Sequence, residues 1–148
     1  MADSQGVTES FVMLDRFSPQ GNHAWSHKYG VAEYAAANAV AVDSADHILA
    51  AGFFRHGTLD FGCGPHDSPF DQGNDFAGDM FLAKLDPAGV CVWSKAFGGW
   101  GQQSAFGTAV DGTDHIAIAG EFQEAIDFGL GPLIAEHYPE ACVARFTP

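Results

Sequence analysis

The stretch MFLAKLDPAGVCVWSKAF, residues 80–97, decides the fold of this chain because it encodes a hairpin that occurs twice. Two runs of strand-forming residues flank the tetrapeptide Asp86-Pro87-Ala88-Gly89. Proline sets φ at the second position of such a turn, and glycine accommodates its end. The stretch therefore predicts two antiparallel strands joined by a tight turn.

The rest of the sequence repeats around this hairpin. A single ungapped shift that places Pro19 on Pro87 aligns most of residues 17–54 with residues 85–122. The shift also superposes a tryptophan, a Val-Asp step and an Asp-His-Ile run: Trp25 on Trp93, Val42-Asp43 on Val110-Asp111, and Asp46-His47-Ile48 on Asp114-His115-Ile116. Self-similarity of this kind is the signature of repeat architectures. We predict a flexible segment 1–10, two repeats at 11–79 and 80–140, and the first strand of a third repeat at 141–148.

Each repeat is predicted to hold four short strands. The Trp-bearing strand should end at Tyr29-Gly30 or Phe97-Gly98, and the last two strands are rich in Ala, Val, Ile and Gly. Small residues suit strands crowded near an axis, and bulky ones suit the outer strands of a radial array of sheets. The predicted fold class is all-β, with β-propeller blades built as four-stranded antiparallel sheets.

The run from Asp79 to Gly99, followed by Thr108–Asp111 and Ile116–Phe122, resembles the repeat of the SBBP family of bacterial seven-bladed β-propellers. That repeat runs as Lys-Leu-Asp-Pro-x-Gly, Trp-Ser-Lys, Phe-Gly-Gly, Ala-Val-Asp and a hydrophobic strand ending in glycine. The resemblance implies blades around a central axis and an extracytoplasmic or secreted location, although the N-terminus contains no signal peptide. Two units are fewer than the four to eight of a closed propeller. We expect either a piece of a longer propeller or a homo-oligomer that completes the ring.

Charge and hydropathy exclude two classes of partner. Six Lys and Arg stand against 19 Asp and Glu, which gives a net charge of −13. A chain this acidic is repelled by nucleic acid and by anionic membrane surfaces. No apolar run reaches the ~20 residues of a membrane span. We therefore predict no nucleic-acid and no membrane partner.

The three cysteines, Cys63, Cys91 and Cys142, form no CxxC pair and no zinc-type spacing. They are predicted to be buried or partly buried thiols that act as small hydrophobes. No disulfide framework is predicted from their positions.

Motifs for catalysis are absent from the sequence: there is no Gly-x-Ser-x-Gly, no phosphate loop and no His-Glu-x-x-His. The repeated aspartates, Asp43, Asp46, Asp111 and Asp114, are interpreted as turn caps, because aspartate bonds to its own backbone in tight turns. His47 and His115 follow them, and ligation of a metal by several blades is the alternative role for these imidazoles. The chain is predicted not to be an enzyme, and no catalytic, cofactor-binding or metal-ligating residue is assigned.

Two features depart from the repeat. The insertion 66–79 contains four aspartates with an asparagine and a histidine nearby, namely Asp67, Asp71, Asp75, Asp79, Asn74 and His66. They could offer oxygen donors to Ca²⁺, but their spacing is not that of a calcium loop, so a solvated acidic loop is favoured. Trp100 also lies outside the framework, and packing is favoured over stacking on a sugar.

The sequence thus favours a non-catalytic propeller module that acts as a structural scaffold or as a binding surface for protein or glycan, and that self-assembles. The alternative is a part of a propeller enzyme with an active site at the central channel. The two differ in where symmetry-breaking polar residues lie. In this chain most of them fall in the single insertion.

Overall fold

The computed structural model describes residues 9–68, 77–99 and 101–147. These residues form strands and turns, and every pair of hydrogen-bonded strands is antiparallel. The predicted all-β antiparallel fold class is confirmed, and the sheets are those of a propeller-like fragment. In chain order the strands are β1 (Ser10–Phe17), β2 (His23–Val42), β3 (Ile48–Asp60), β4 (Pro65–Ser68), β5 (Asp79–Leu85), β6 (Cys91–Phe97), β7 (Gln103–Val110), β8 (Ile116–Phe122), β9 (Ala125–Ile126), β10 (Leu133–Ile134) and β11 (Glu140–Phe146).

The strands form three layers. The central sheet runs from the second half of β2 through β3 and β5 to β6, with the short β4 paired to one end of β3. The second sheet has the order β11-β8-β7, and a minor pair is formed by β9 and β10. The third layer is the N-terminal hairpin, which we define as β1 and the first half of β2. Each four-stranded or three-stranded sheet draws its strands from two successive sequence repeats.

Strand β2 is continuous where the sequence predicts two separate strands. The first repeat was expected to break after Gly30, but β2 continues through it, pairing with β1 over residues 23–32 and with β3 over residues 31–42. Gly30 has φ +74°, and a Cβ there would lie 2.5 Å from Cδ1 of Leu59. Glycine therefore lets one strand change partners, whereas in the second repeat β6 ends at Phe97 and β7 begins at Gln103.

The central sheet is buried on both faces. One face packs against the N-terminal hairpin in a cluster that includes Val12, Tyr29, Phe54 and Phe81. The opposite face packs against the second sheet in a cluster that includes Leu49, Met80, Leu82, Ile116, Ile118 and Phe122. Complete burial of side chains of this size contributes about 1.5 to 3 kcal/mol each. The stack of three layers is therefore held mainly by apolar contact.

Two equivalent glycines let neighbouring strands approach closely. A Cβ at Gly52 would lie 1.9 Å from the carbonyl oxygen of Ala36, and one at Gly120 would lie 2.1 Å from the carbonyl oxygen of Ser104. Each faces a bulge, where the register shifts between Ala37 and Ala39 or between Ala105 and Gly107. The glycine that ends the repeated Ile-x-x-x-Gly pattern is thus required by the backbone opposite it.

The prediction for the cysteines is wrong for two of the three. Cys63 and Cys91 form a disulfide with a Cα–Cα distance of 5.7 Å, so they are not the thiols that the sequence suggested. The reason is tertiary, because the order β3-β5-β6 brings the turn after β3 beside the first residue of β6. Cys142 is the buried free thiol expected of it, and burial raises its pKa.

No helix in the described part of the chain is long and apolar enough to cross a membrane.

Candidate functional site

Polar side chains of the N-terminal hairpin hold it against the central sheet. On the N-terminal hairpin, a row of side chains donates hydrogen bonds to the turn that joins β5 and β6. Trp25 Nε1 lies 3.1 Å from the carbonyl oxygen of Pro87, His27 Nε2 lies 3.1 Å from that of Ala88, and Tyr29 Oη lies 2.7 Å from that of Gly89. We call this row the turn ladder.

A residue of the neighbouring strand adds a further hydrogen bond to the same turn. Arg16, on β1, donates a hydrogen bond to the same Pro87 carbonyl that accepts from Trp25. Tyr29 is buried, and burial followed by the nearby charge of Asp86 raises its pKa. The ladder therefore fixes the hairpin against the central sheet through polar groups whose partners are all backbone carbonyls.

Asp43 combines a turn cap with an ion pair. Its Oδ1 accepts hydrogen bonds from the backbone N–H groups of Ala45 and His47, both at 2.9 Å, as the repeated pattern predicts. Its Oδ2 lies 2.8 Å from Nζ of Lys84, and both side chains are almost completely buried. Burial by itself raises the pKa of Asp43, but the hydrogen bonds from Lys84 and from the turn lower it well below its usual range.

The second repeat contains the same arrangement on the surface. Asp111 caps its turn through the N–H groups of Thr113 and His115, and its Oδ2 lies 3.0 Å from Nη2 of Arg145. The hydrogen bonds from Thr113 are the main reason that the pKa of Asp111 is lowered. Here the Asp111 and Arg145 side chains are 44% and 63% exposed, whereas those of Asp43 and Lys84 are 3% and 12% exposed.

Asp114, in the turn between β7 and β8, connects the second sheet to the turn between β2 and β3 of the central sheet. Its carboxylate accepts from both the backbone N–H and the hydroxyl of Ser44, at 2.9 and 2.6 Å. These hydrogen bonds lower its pKa. Asp114 and its counterpart Asp46 adopt left-handed backbone angles, φ +62° and +63°, which agrees with the prediction of turns at these positions.

Asp79 is the described aspartate whose pKa moves upward, to about 6. Burial raises it, and hydrogen bonds from the backbone N–H of Gly99 and from Ser68 offset only part of the effect. A Cβ at Gly98 would lie 2.1 Å from Asp79 Oδ1, so the neighbouring glycine makes room for the carboxyl group. Asp79 therefore holds the backbone of Gly99, where the chain leaves β6 of the central sheet.

The other residues of the insertion are separated by the structure. His66 Nε2 lies 2.8 Å from the hydroxyl of Ser94, and Asp67 accepts a hydrogen bond of 2.6 Å from Thr58. Asp71, Asn74 and Asp75, together with Trp100, lie outside the described residues. The solvated acidic loop and the packing of Trp100 remain predictions.

The repeated histidines contact their own turns. His47 Nδ1 lies 3.0 Å from Asp43 Oδ2, and His115 Nδ1 lies 2.7 Å from the hydroxyl of Thr113. Across residues 9–68, 77–99 and 101–147, no three His, Cys, Asp or Glu side chains come together in a group that could hold a metal ion.

One Ser-His-Asp cluster lies on the N-terminal hairpin, but its geometry is not that of a nucleophilic triad. The hydroxyl of Ser26 donates to Asp15, and the same Nε2 atom of His23 approaches both Ser26, at 2.7 Å, and Asp15, at 3.8 Å. A triad needs the carboxylate on the second ring nitrogen, so that the first can take the serine proton. The cluster is a surface hydrogen-bond network.

Two open grooves are candidates for ligand binding. The first, which we call the hairpin groove, has a volume of about 380 Å³. It lies between β1 and the end of the central sheet where β2 turns into β3. Its walls combine aromatic, aliphatic and acidic side chains: Leu14, Asp15, Arg16, Phe17, Trp25, Val40, Val42, Asp46 and Ile48. The second, the β11 groove, has a volume of about 330 Å³ and is lined by Phe128, Leu130, Gly131, Leu133, Ala144, Arg145 and Phe146.

Comparison with known proteins supports a β-propeller type of repeat. Over 120 residues, 81% of this chain, the sequence is 28% identical to an uncharacterized WD repeat-containing protein of Acanthamoeba polyphaga mimivirus. The matched region is 8% of that protein, so the chain spans a small part of the length of this relative. No family model matches the chain. The assignment to the SBBP family stays a prediction.

Sequence reasoning missed the buried Asp43–Lys84 pair, the turn ladder and the disulfide. The first two left a signal, because Asp43 and Lys84 recur as Asp111 and Arg145, and the ladder residues lie at alternate positions on one strand. The recurrence of these charges in both repeats and the alternation of Trp25, His27 and Tyr29 could have identified them. The disulfide left no such signal, because its second-repeat position is Leu130.

Proposed function

We propose that this chain is a non-catalytic β-propeller repeat module that binds a protein partner through the hairpin groove. The observation that carries the proposal is the groove itself, which joins exposed apolar side chains to carboxylates in a chain of net charge −13. Phe17, Val40 and Val42 are each more than half exposed there. Exposed apolar surface with aromatic residues is typical of interfaces, and the acidic rim favours a basic partner.

The polar groups of the described residues support a structural role over a catalytic one. The buried carboxylate of Asp43 is held by Lys84 and by its own turn, and the Ser26 cluster lacks triad geometry. The WD repeat similarity agrees with a module of this kind, although that relative is itself uncharacterized. A protein partner is preferred to a glycan, because the argument for a glycan rests on Trp100 alone.

The partner proposal is tested with a library of basic, amphipathic peptides screened against the purified chain. Peptides that bind should lose at least about tenfold in affinity to the double variant Phe17→Ser with Val40→Asp, and binding should weaken with salt. The matched control is Val90→Asp, which alters an exposed apolar residue outside the hairpin groove, on the turn between β5 and β6. Binding that is equal in both variants would contradict the use of the hairpin groove.

We further propose that copies of the module associate head to tail. Phe81 and Leu82, adjacent on β5, are both fully buried because the central sheet is covered on each face. Their counterparts on the end layers, Met13 and Val143, are 54% and 77% exposed. Two different exposed faces give a heterologous interface, which closes into a ring if the rotation between copies allows it.

Light scattering after gel filtration tests this association. A mass that is a multiple of 15.7 kDa, and that falls to one chain in Val143→Asp, supports it. The control is Val90→Asp, since Val90 is similarly exposed but lies on the turn between β5 and β6. A stable monomer at high concentration contradicts it.

A further inference from the structure

The outer edge of β11 has no strand beside it in the described part of the chain, although its counterpart β5 carries β6 there. The two strands correspond because Val143-Ala144-Arg145-Phe146 repeats Leu82-Ala83-Lys84-Leu85. Strand β5 pairs with β3 on one side and β6 on the other, whereas β11 pairs with β8 alone. We propose that this edge is a docking site for one further β-strand with the residue pattern of β6.

One wall of the β11 groove carries an exposed apolar residue where a docked strand would begin. Leu130 is fully exposed, and it stands at the position of Cys63 in the shared Asp-Phe-Gly-x-Gly-Pro sequence. In the central sheet, Cys63 is bonded to Cys91, the first residue of β6. Leu130 therefore lies where it would contact the first residue of a docked strand. An apolar residue is expected at that position of the strand, in place of a half-cystine.

A second cavity beside β11, separate from the β11 groove, contains the row that corresponds to the turn ladder. Trp93 and Lys95 line an open cavity of about 230 Å³ together with Phe146 and Thr147. Their counterparts Trp25 and His27 donate hydrogen bonds to the turn that leads into β6. A turn leading into a strand on β11 would present its carbonyls to the Trp93 indole N–H and the Lys95 ammonium group.

The central sheet also gives the register. Leu85 pairs with Cys91, Lys84 with Trp93 and Met80 with Phe97. On β11 this places the first apolar residue of the strand opposite Phe146, its tryptophan opposite Arg145 and its final aromatic residue opposite Ala141. An exposed edge of this kind accepts a strand through backbone hydrogen bonds, and alternate side-chain pockets select which strand.

This inference deepens the proposed function and rests on its statement that the chain is a β-propeller repeat module, in which each layer is a copy of the same sheet. A variant extended after Pro148 with a duplicate of residues 88–99 tests it, combined with Leu130→Cys. We expect a disulfide between the introduced cysteine and the cysteine of the duplicated strand, located by peptide mass mapping, with Cys63–Cys91 retained. The matched control carries two prolines within the duplicated strand, which remove ladder hydrogen bonds.

Two further measurements keep the test decisive if the extended chain folds poorly. A free peptide of residues 88–99 with valine at the cysteine position should bind the unmodified chain, and Leu130→Asp should weaken that binding about tenfold. An extended chain with the same valine should unfold at a denaturant midpoint higher by roughly 0.5 M than its proline control. Equal disulfide yield in both extended chains, together with no peptide binding, overturns the proposal.

A second copy of the chain is the competing occupant. If the unmodified chain forms a dimer in which the β11 amides are protected from exchange, and the peptide does not dissociate it, the proposal is overturned. Exchange of β3 and β5 amides in the unmodified chain reports separately on the stack of layers. Slow exchange there supports the module whether or not a strand docks, so the two failures are distinguishable.

Discussion

Lys84 Nζ lies 2.8 Å from Asp43 Oδ2 inside the stack, and the equivalent pair, Arg145 and Asp111, lies 3.0 Å apart on its surface. The chain thus contains the same kind of ion pair twice, once buried and once exposed to solvent. Removing one partner of a buried pair leaves an uncompensated charge, whereas an exposed pair is screened by water.

We expect Asp43→Asn to destabilise the protein by about 3 to 5 kcal/mol, because it leaves the buried Lys84 ammonium group without its carboxylate. Asparagine keeps an oxygen that can accept the turn hydrogen bonds, so the change isolates the ion pair. Asp111→Asn is the matched control and should change stability far less, because water screens that exposed pair. Chemical denaturation followed by circular dichroism measures both, and equal losses would contradict the difference in burial.

Asp79 predicts a fall in stability as pH rises. Its folded pKa of about 6 lies above its unfolded value of 3.8, so the folded state binds more protons between these two values. The free energy of unfolding should therefore decrease through that window, by about 1 to 2 kcal/mol after allowance for partial exposure. Denaturation at a series of pH values should show this slope in the wild type and a reduced slope in Asp79→Asn. Asp67→Asn is the control that should retain it.

The disulfide closes a loop across a sequence separation of 28 residues. Cross-linking a loop of this length restricts the unfolded chain, and we expect Cys63→Ser combined with Cys91→Ser to cost about 3 to 4 kcal/mol. Cys142→Ala serves as the control for loss of a cysteine without loss of a cross-link, and it should leave the response to reductant unchanged. A wild-type melting temperature that is insensitive to reductant would count against the cross-link.

The close approach of strands at Gly52 predicts that Gly52→Ala is severely destabilising, by more than about 3 kcal/mol, because its Cβ would overlap the Ala36 carbonyl. Gly107, also within a strand, has no atom within 4 Å of its Cβ position. Gly107→Ala should therefore be neutral or stabilising by about 0.5 to 1 kcal/mol, since alanine loses less entropy on folding. Thermal unfolding of the two variants makes the comparison, which fails if their melting temperatures coincide.

The local features of the site could be predicted from the sequence, but the way the strands continue and pair could not. The turn caps of Asp43 and Asp111 follow from local geometry, because the carboxylate bonds to N–H groups two and four residues away. The continuity of β2 through Gly30 was missed, since a glycine with φ +74° can end a strand or let it change partners, and only the neighbouring Leu59 decides between them.

The sequence by itself determined the all-β class, the repeated hairpin and the positions of the turns, because these depend on residues that are neighbours along the chain. The tertiary structure alone decided which strands share a sheet, that Cys63 meets Cys91, and that one Asp–Lys pair is buried while its twin is exposed. These depend on how the layers stack: the central sheet is covered on both faces, and the outer layers are each covered on one. Similar local sequences therefore acquire different environments, and the exposed edge and faces that result are where we place binding.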